Sequence, residues 1–204
     1  MIIQPELFVV TGPNAAGKSS FIRSRLNDFS DFEIIMTDVY KERTREVYSN
    51  AIKLRRNIVF ETVFNNSSFT ALIDEAKKAN YKLNLIFLFL NSPQQSLNRV
   101  ALRYLEQSGL EISKGNVELN FTENFKNISS YHYHFDRVDF IYTGNKNQNE
   151  NVLTLYGLEV ISYKKNDYSF LQYFAQYAFS RDKISKEAFD VIVNNIDFRK
   201  EKPL

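Results

Sequence analysis

The sequence predicts an α/β fold, a mainly parallel sheet covered by helices. Three observations predict it. Short apolar runs rich in β-formers alternate with segments of helical periodicity. Nearly every predicted strand is apolar on both faces, as strands buried between two helical layers are. The composition is that of an ordinary globular chain, 44% hydrophobic and 25% charged over 204 residues, which supplies one sizeable core.

Taken in order, Leu7 to Thr11 (LFVVT) is a strand that ends at a glycine. Lys18 to Leu26 spaces Phe21, Ile22 and Leu26 for a helix, and Glu33 to Met36 is a second strand. Val39 to Arg56 is helical, with Val47, Ala51, Ile52 and Leu54 spaced for one face. Asn57 to Phe64 is a third strand, Phe69 to Ala79 a helix, and Tyr81 to Leu90 a fourth strand. Pro93 sits early in a helix running to about Gln107, where proline is tolerated. Phe140 to Tyr142 is a fifth strand. Ser108 to Asn127 is polar, carries Gly109 and Gly115, and reads as a loop or lid. Thr143 to Asn151 is a turn-rich surface stretch. Val152 to Tyr156 and Glu159 to Tyr163 flank Gly157-Leu158 as a hairpin. Tyr168 to Phe198 reads as two helices, the second opening near Ser185.

Bulk charge is nearly balanced, with 26 basic and 24 acidic side chains, and no basic block stands out. Bulk charge by itself argues neither for nor against a nucleic-acid partner, though without a basic channel such a partner is not the expected one. The chain has no cysteine, which excludes disulfides and thiolate metal sites. The N-terminal residues lack a basic region followed by an apolar stretch, and the run Leu83 to Leu90 is too short to span a bilayer. No membrane association is expected, and a cytoplasmic location is.

The chemistry is concentrated in Gly12-Pro13-Asn14-Ala15-Ala16-Gly17-Lys18-Ser19, a full match to G-x-x-x-x-G-K-S between a strand and a helix. Glycines let the backbone curl so that successive N–H groups point at phosphate oxygens. The helix N-terminus adds partial positive charge. Lys18 brings a full charge to the β- and γ-phosphates, and Ser19 offers a hydroxyl to Mg²⁺, with Ser20 beside it. The fold class is thus a three-layer P-loop NTPase fold, with ATP and Mg²⁺ as expected cofactors. A guanine-reading tetrad is absent, since Asn145-Lys146-Asn147-Gln148 lacks the aspartate. A Walker-B aspartate is also missing after Phe87-Leu88-Phe89-Leu90, which runs into Asn91. That argues against motor and transporter ATPases.

The acceptor side is read from strand ends, because ligands in open α/β sheets bind beyond the carboxyl ends of strands. Asp38 follows the second strand and can take the proton of an attacking hydroxyl, or serve as an N-cap. Glu61 and Thr62 close the third strand. A carboxylate there is costly to bury unless it has a partner, and a polar substrate is one. Arg99 and Arg103 are four apart on one helix, placed to clamp a phosphoryl group or an adenine. A solvated charged face is the plainer reading of the pair. His132 and His134 alternate, yet no third ligand has zinc spacing. Asn98 and Lys114 are further polar candidates near the lid.

These motifs together resemble the zeta toxin family of P-loop kinases, over about residues 5 to 163. The phosphate loop, Asp38, Phe60-Glu61-Thr62 and Asn98-Arg99-Val100-Ala101-Leu102-Arg103 carry the resemblance in order and spacing. It implies a five-stranded, mainly parallel sheet in the order 2-3-1-4-5, a lid helix, and ATP-dependent phosphorylation of a small-molecule hydroxyl. In the toxin members the acceptor is UDP-N-acetylglucosamine. It implies Asp38 as base, Lys18 and Arg103 on the transferring charge, Ser19 on Mg²⁺, Glu61 and Thr62 on the acceptor, and an antitoxin protein as a partner. The sequence departs where Gln107-Ser108-Gly109-Leu110 replaces Gly-Gly-His, and where a second lid arginine finds only Lys114 and Asn116 to Asn120. Residues 1–165 then form a kinase domain and 166–204 a C-terminal helical extension. Two other functions share these motifs: a non-catalytic ATP-binding regulatory protein, and a nucleic-acid 5′-end kinase, which near-neutral charge disfavours.

Overall fold

The computed structural model describes residues 4–64, 69–107, 112–145 and 148–200. The parallel strands are β1 (Glu6–Thr11), β2 (Phe32–Met36), β3 (Asn57–Glu61), β4 (Lys82–Phe89) and β5 (Arg137–Tyr142). Three antiparallel strands continue the sheet, β6 (Glu150–Tyr156), β7 (Glu159–Tyr163) and the short β8 (Phe198–Arg199). The spatial order is β2-β3-β1-β4-β5-β6-β7-β8, so the predicted 2-3-1-4-5 arrangement is its first part and the hairpin extends the β5 edge.

Helices α1 (Lys18–Arg23), α2 (Thr37–Tyr40), α3 (Thr44–Lys53), α4 (Phe69–Lys78), α5 (Pro93–Gln107) and α6 (Lys114–Tyr131) connect the parallel strands. Alternation along the strands divides the core between two faces. Val10, Val59, Ile86 and Leu88 pack with Phe21 and Ile22 of α1. Val9, Phe60, Leu85, Phe87 and Phe140 face the larger core, which α3, α4, α6 and the C-terminal helices cover.

Four boundaries differ from the sequence expectation. Within the stretch expected as a loop or lid, residues 114–127 belong to the long helix α6, opened by Ser113, whose hydroxyl accepts the Asn116 N–H at 3.3 Å. Its periodicity was masked because Asn124 and Ser129 are buried beside Val117 and Ile128. Asn124 donates to the Val63 carbonyl, and Asn127 to that of Phe64 at 3.0 Å. The single helix expected over 39–56 is instead α2, a 3-10 turn at Lys41–Arg43 and α3, broken where Lys41 takes a φ of 50°. The third strand ends at Glu61 rather than Phe64. The fifth starts at Arg137 rather than Phe140, its charge hidden because buried Asp139 binds Arg137 at 2.8 Å and Thr154 at 2.7 Å.

Beyond the hairpin, α7 (Ser169–Phe179) and α8 (Lys186–Val193) match the two expected helices, the second N-capped by Ser185. Helix α7 is fixed to the parallel strands. Its Phe170 ring lies 5.1 Å from Phe89, and Phe174 lies 4.6 Å from Phe140. The N-terminus of α7 lacks a side-chain cap of its own from Tyr168. Asn91, just past β4, supplies one: its Oδ1 accepts the Phe170 N–H at 3.1 Å and the Ser169 hydroxyl at 3.2 Å. No described helix is long and apolar enough to cross a membrane.

Candidate active site

The phosphate loop joins β1 to α1. Gly12 has φ 153°, and an added Cβ would stand 2.1 Å from the Leu88 carbonyl oxygen on β4, so a side chain does not fit. Gly17 has φ 88° where the loop enters α1, and Ala15 holds a φ of 56° at the loop's outer bend. Three side chains from α5 and α6 hold that bend. Ser96 Oγ donates to the Asn14 carbonyl at 2.6 Å, Arg99 donates to the Ala15 carbonyl at 3.3 Å, and Asn120 donates to Asn14 Oδ1 at 2.9 Å.

Lys18 is 9% exposed, and its ammonium donates to the carbonyls of Gly12 at 3.0 Å and Pro13 at 3.3 Å. Burial lowers its pKa, the charges of Glu61 and Asp38 oppose that, and Arg103 adds to it. Glu61 is 4% exposed at the end of β3 and accepts the Ser19 hydroxyl, with Oε1 and Oε2 each 3.3 Å from Oγ. Burial raises its pKa, with Lys18, Ser19 and Arg23 opposing and Asp38 reinforcing. Lys18 thus feels the charges of Glu61, Asp38 and Arg103, and Glu61 feels those of Lys18, Asp38 and Arg23.

Both β3 and β4 flank β1, and the acidic strand end is on β3, where Val10 pairs with Glu61, while β4 runs into Asn91. Asp38 does not cap α2; the N-cap position is Met36, and Asp38 is an exposed residue of the first turn. Arg103 is exposed on α5. Arg99 points to main chain, since besides Ala15 it donates to the Thr143 carbonyl. Ser20 is exposed. Thr62 donates its N–H to the Val10 carbonyl at 3.1 Å and holds the turn to Phe64 through its hydroxyl at 3.4 Å.

Beside Thr37 and Thr62 a cleft of about 490 Å³ opens between α2, α3 and α4. Lys41, Glu42, Thr44 and Arg45 line it, together with Phe60, Phe64 and Phe69. Arg45 is paired with Glu75 at 2.8 Å. The histidines lie elsewhere, in a 3-10 turn and not a strand. His132 is buried, with Nδ1 3.1 Å from the Ile128 carbonyl and Nε2 2.9 Å from that of Lys183. His134 Nδ1 is 3.3 Å from the Lys77 ammonium. Among the described residues no His, Asp or Glu cluster could hold a metal ion by itself.

Sequence reasoning missed Ser96 and Asn120. Neither belongs to a motif, and only folding brings α5 and α6 onto the phosphate loop. Of the expected polar candidates, Asn98 accepts from Gln94 at 2.8 Å, and Lys114 pairs with Glu118 at 3.8 Å, both on exposed helix surface.

Comparison with known proteins agrees with the fold. The fold is similar to that in the PezAT toxin–antitoxin system of Streptococcus pneumoniae, at 13% identity and TM-score 0.57, over 72% of each chain. It is similar to AvrRxo1-ORF1:-ORF2 with ATP, at 14% identity and TM-score 0.58, over 96% of this chain and 82% of that one. A chain of the Pnkp1/Rnl/Hen1 RNA repair complex is similar at 18% identity and TM-score 0.54, over 64% and 47%. No curated protein matches the sequence. The family model for zeta toxin matches residues 41–159, more than half of the chain, beginning beyond the phosphate loop that the geometry identifies independently. The chain belongs to the zeta toxin family.

Proposed function

We propose that the protein is an ATP-dependent kinase that moves the γ-phosphate to a hydroxyl of a small molecule. The observation that carries this reading is the loop built for phosphates, whose Lys18 feels the charges of Glu61, Asp38 and Arg103 and whose Ser19 is hydrogen-bonded to Glu61. Backbone N–H groups of the loop would hold the β- and γ-phosphates, and the Lys18 ammonium would leave the Gly12 and Pro13 carbonyls to meet them. Ser19 and Glu61 suit Mg²⁺. Both offer hard oxygens, and a carboxylate buried against a hydroxyl has a reason to be there if it serves a cation. The ion would neutralise phosphate charge.

Asp38 would take the proton of the acceptor hydroxyl. The hydroxyl oxygen would form its bond to the γ-phosphorus as the bond to the β–γ bridging oxygen breaks, leaving ADP. Arg103, exposed on α5, would cover the charge on the transferring group. The acceptor would lie in the cleft beside Thr37 and Thr62. Its Lys41, its threonine hydroxyls and its aromatic side chains suit a polar molecule that carries rings, such as the sugar nucleotide UDP-N-acetylglucosamine. An antitoxin partner fits the same reading, because one structural relative comes from a toxin–antitoxin system.

The test is ³¹P NMR of a sugar-nucleotide panel with ATP, Mg²⁺ and protein. A new phosphomonoester signal that disappears in Asp38→Asn, while ATP binding persists, supports the reading. Undiminished turnover in Asp38→Asn removes the base assignment. Absence of phosphoryl transfer to every hydroxyl offered, with ATP bound, favours a nucleotide-binding regulator.

A further inference from the structure

The outer bend of the phosphate loop is a conformational expense that the rest of the fold offsets. Ala15 is not glycine, yet it keeps a left-handed φ of 56°. A residue in that region holds it when surrounding contacts over-determine the backbone. Here those contacts come from two helices far along the chain. Ser96, fully buried on α5, takes the Asn14 carbonyl, and Arg99 takes the Ala15 carbonyl. Asn120, on α6, donates its amide to the Asn14 side chain.

The contact from α6 differs in kind from the other two. Ser96 and Arg99 grip main chain, so any residue at positions 14 and 15 would satisfy them. Asn120 needs the side chain of Asn14 as its acceptor. The stretch of α6 around Asn120, from Asn116 to Asn124, has no basic side chain, so it brings the loop an amide and no positive charge. Farther along, the same helix grips the turn that follows Glu61 and Thr62, through Asn124 and Asn127 on the Val63 and Phe64 carbonyls. One helix thus touches both the triphosphate cradle and the strand end beside the acceptor cleft.

We infer that Asn120 is a positioning residue for the nucleotide: through Asn14 it ties α6 to the phosphate loop and sets that loop's affinity for the triphosphate. The inference rests on the kinase reading to the extent that ATP occupies the loop. It adds a residue that acts by preorganisation. A loop already held in shape loses less entropy when its N–H groups meet phosphate, and releasing it weakens binding without touching the transfer step.

Calorimetry of ATP·Mg²⁺ binding to the full chain tests it, with Asn120→Ala, Asn14→Ala, the double variant and Thr122→Ala on the exposed face of α6 as the control. Each single variant should weaken binding about five- to tenfold, the scale of one hydrogen bond. The double variant should be no weaker than the worse single one, because both remove the same contact. In turnover the loss should fall on KM for ATP, with kcat within about twofold. Thr122→Ala should bind as the wild type does. Asn14→Ala carries the test from the loop side if Asn120→Ala loses its cooperative unfolding. Additive losses, single variants that bind normally, or a fall in kcat at unchanged KM would each overturn the inference. If the wild type binds ATP and the variants match it, only the tie fails. If the wild type binds none, the kinase reading fails with it.

Discussion

Ser19 Oγ stands 3.3 Å from each carboxylate oxygen of Glu61, so the hydroxyl of the phosphate loop and the acid of the neighbouring strand share one point in space. The geometry follows from strand order, since β3 lies directly beside β1 and Glu61 pairs with Val10. Glu61→Gln should therefore reduce Mg²⁺ affinity roughly ten- to a hundredfold, read from Mg²⁺ titrations of turnover. The pH sign also follows. Burial raises the Glu61 pKa, and a cation meets the carboxylate only once the proton has left. Apparent Mg²⁺ affinity should fall as pH drops through that raised value, and Glu61→Gln should flatten the dependence.

Gly12→Ala should abolish ATP binding and destabilise the protein together. The added Cβ would meet the Leu88 carbonyl at 2.1 Å, and a backbone oxygen in a central strand has nowhere to retreat. Calorimetry and thermal unfolding check both effects. Gly17→Ala should separate them. There a Cβ meets nothing within 4 Å, so only the strained φ of 88° acts. The expected loss there is about 1 kcal/mol of stability.

His132 should give the fold an acid limit. Both ring nitrogens face carbonyls, which favours the cation, but burial outweighs them and holds the pKa down at about 4. In the unfolded chain the ring titrates at its ordinary value of about 6.5. As pH falls between those values the unfolded chain takes a proton that the folded one refuses, so stability present above about 6.5 is lost towards 4. The full effect is roughly 3 kcal/mol. Urea titrations across that window should show the fall, and His132→Gln should remove this part of it.

Phe174→Ala should cost roughly 3–5 kcal/mol, the range for a buried phenylalanine truncated in a core. Phe174 is fully buried and packs against Phe140 in β5, so the loss should appear in one cooperative transition of the whole chain. Two separated transitions would instead mean that the C-terminal helices fold as an independent unit.

Much of this architecture was legible in the residues. Strands such as Leu83 to Leu90 declare themselves because both faces are apolar, and the phosphate loop does so because its chemistry tolerates few residue types. Asp38 and Glu61 could be picked out because strand ends converge in this class of sheet. Helix α6 was not legible, because polar Asn124 and Ser129 are buried on its inner face, Asn124 through its hydrogen bond to Val63, and a hydrophobic pattern does not record that. The early start of β5 was hidden likewise, since Asp139 and Arg137 satisfy each other inside the sheet. Ser96 and Asn120 escaped because their meaning lies in distance, not in spacing: each is far from Asn14 along the chain and adjacent to it only after folding.

The cap that Asn91 gives to α7 bears on how the chain is made. During synthesis the rings of Phe87, Phe89 and Phe140 leave the ribosome well before Phe170 and Phe174, which later shield them. A chain without that helix would leave those rings uncovered on one side. Asn91 waits at the strand's end as the mooring where the last segment ties up.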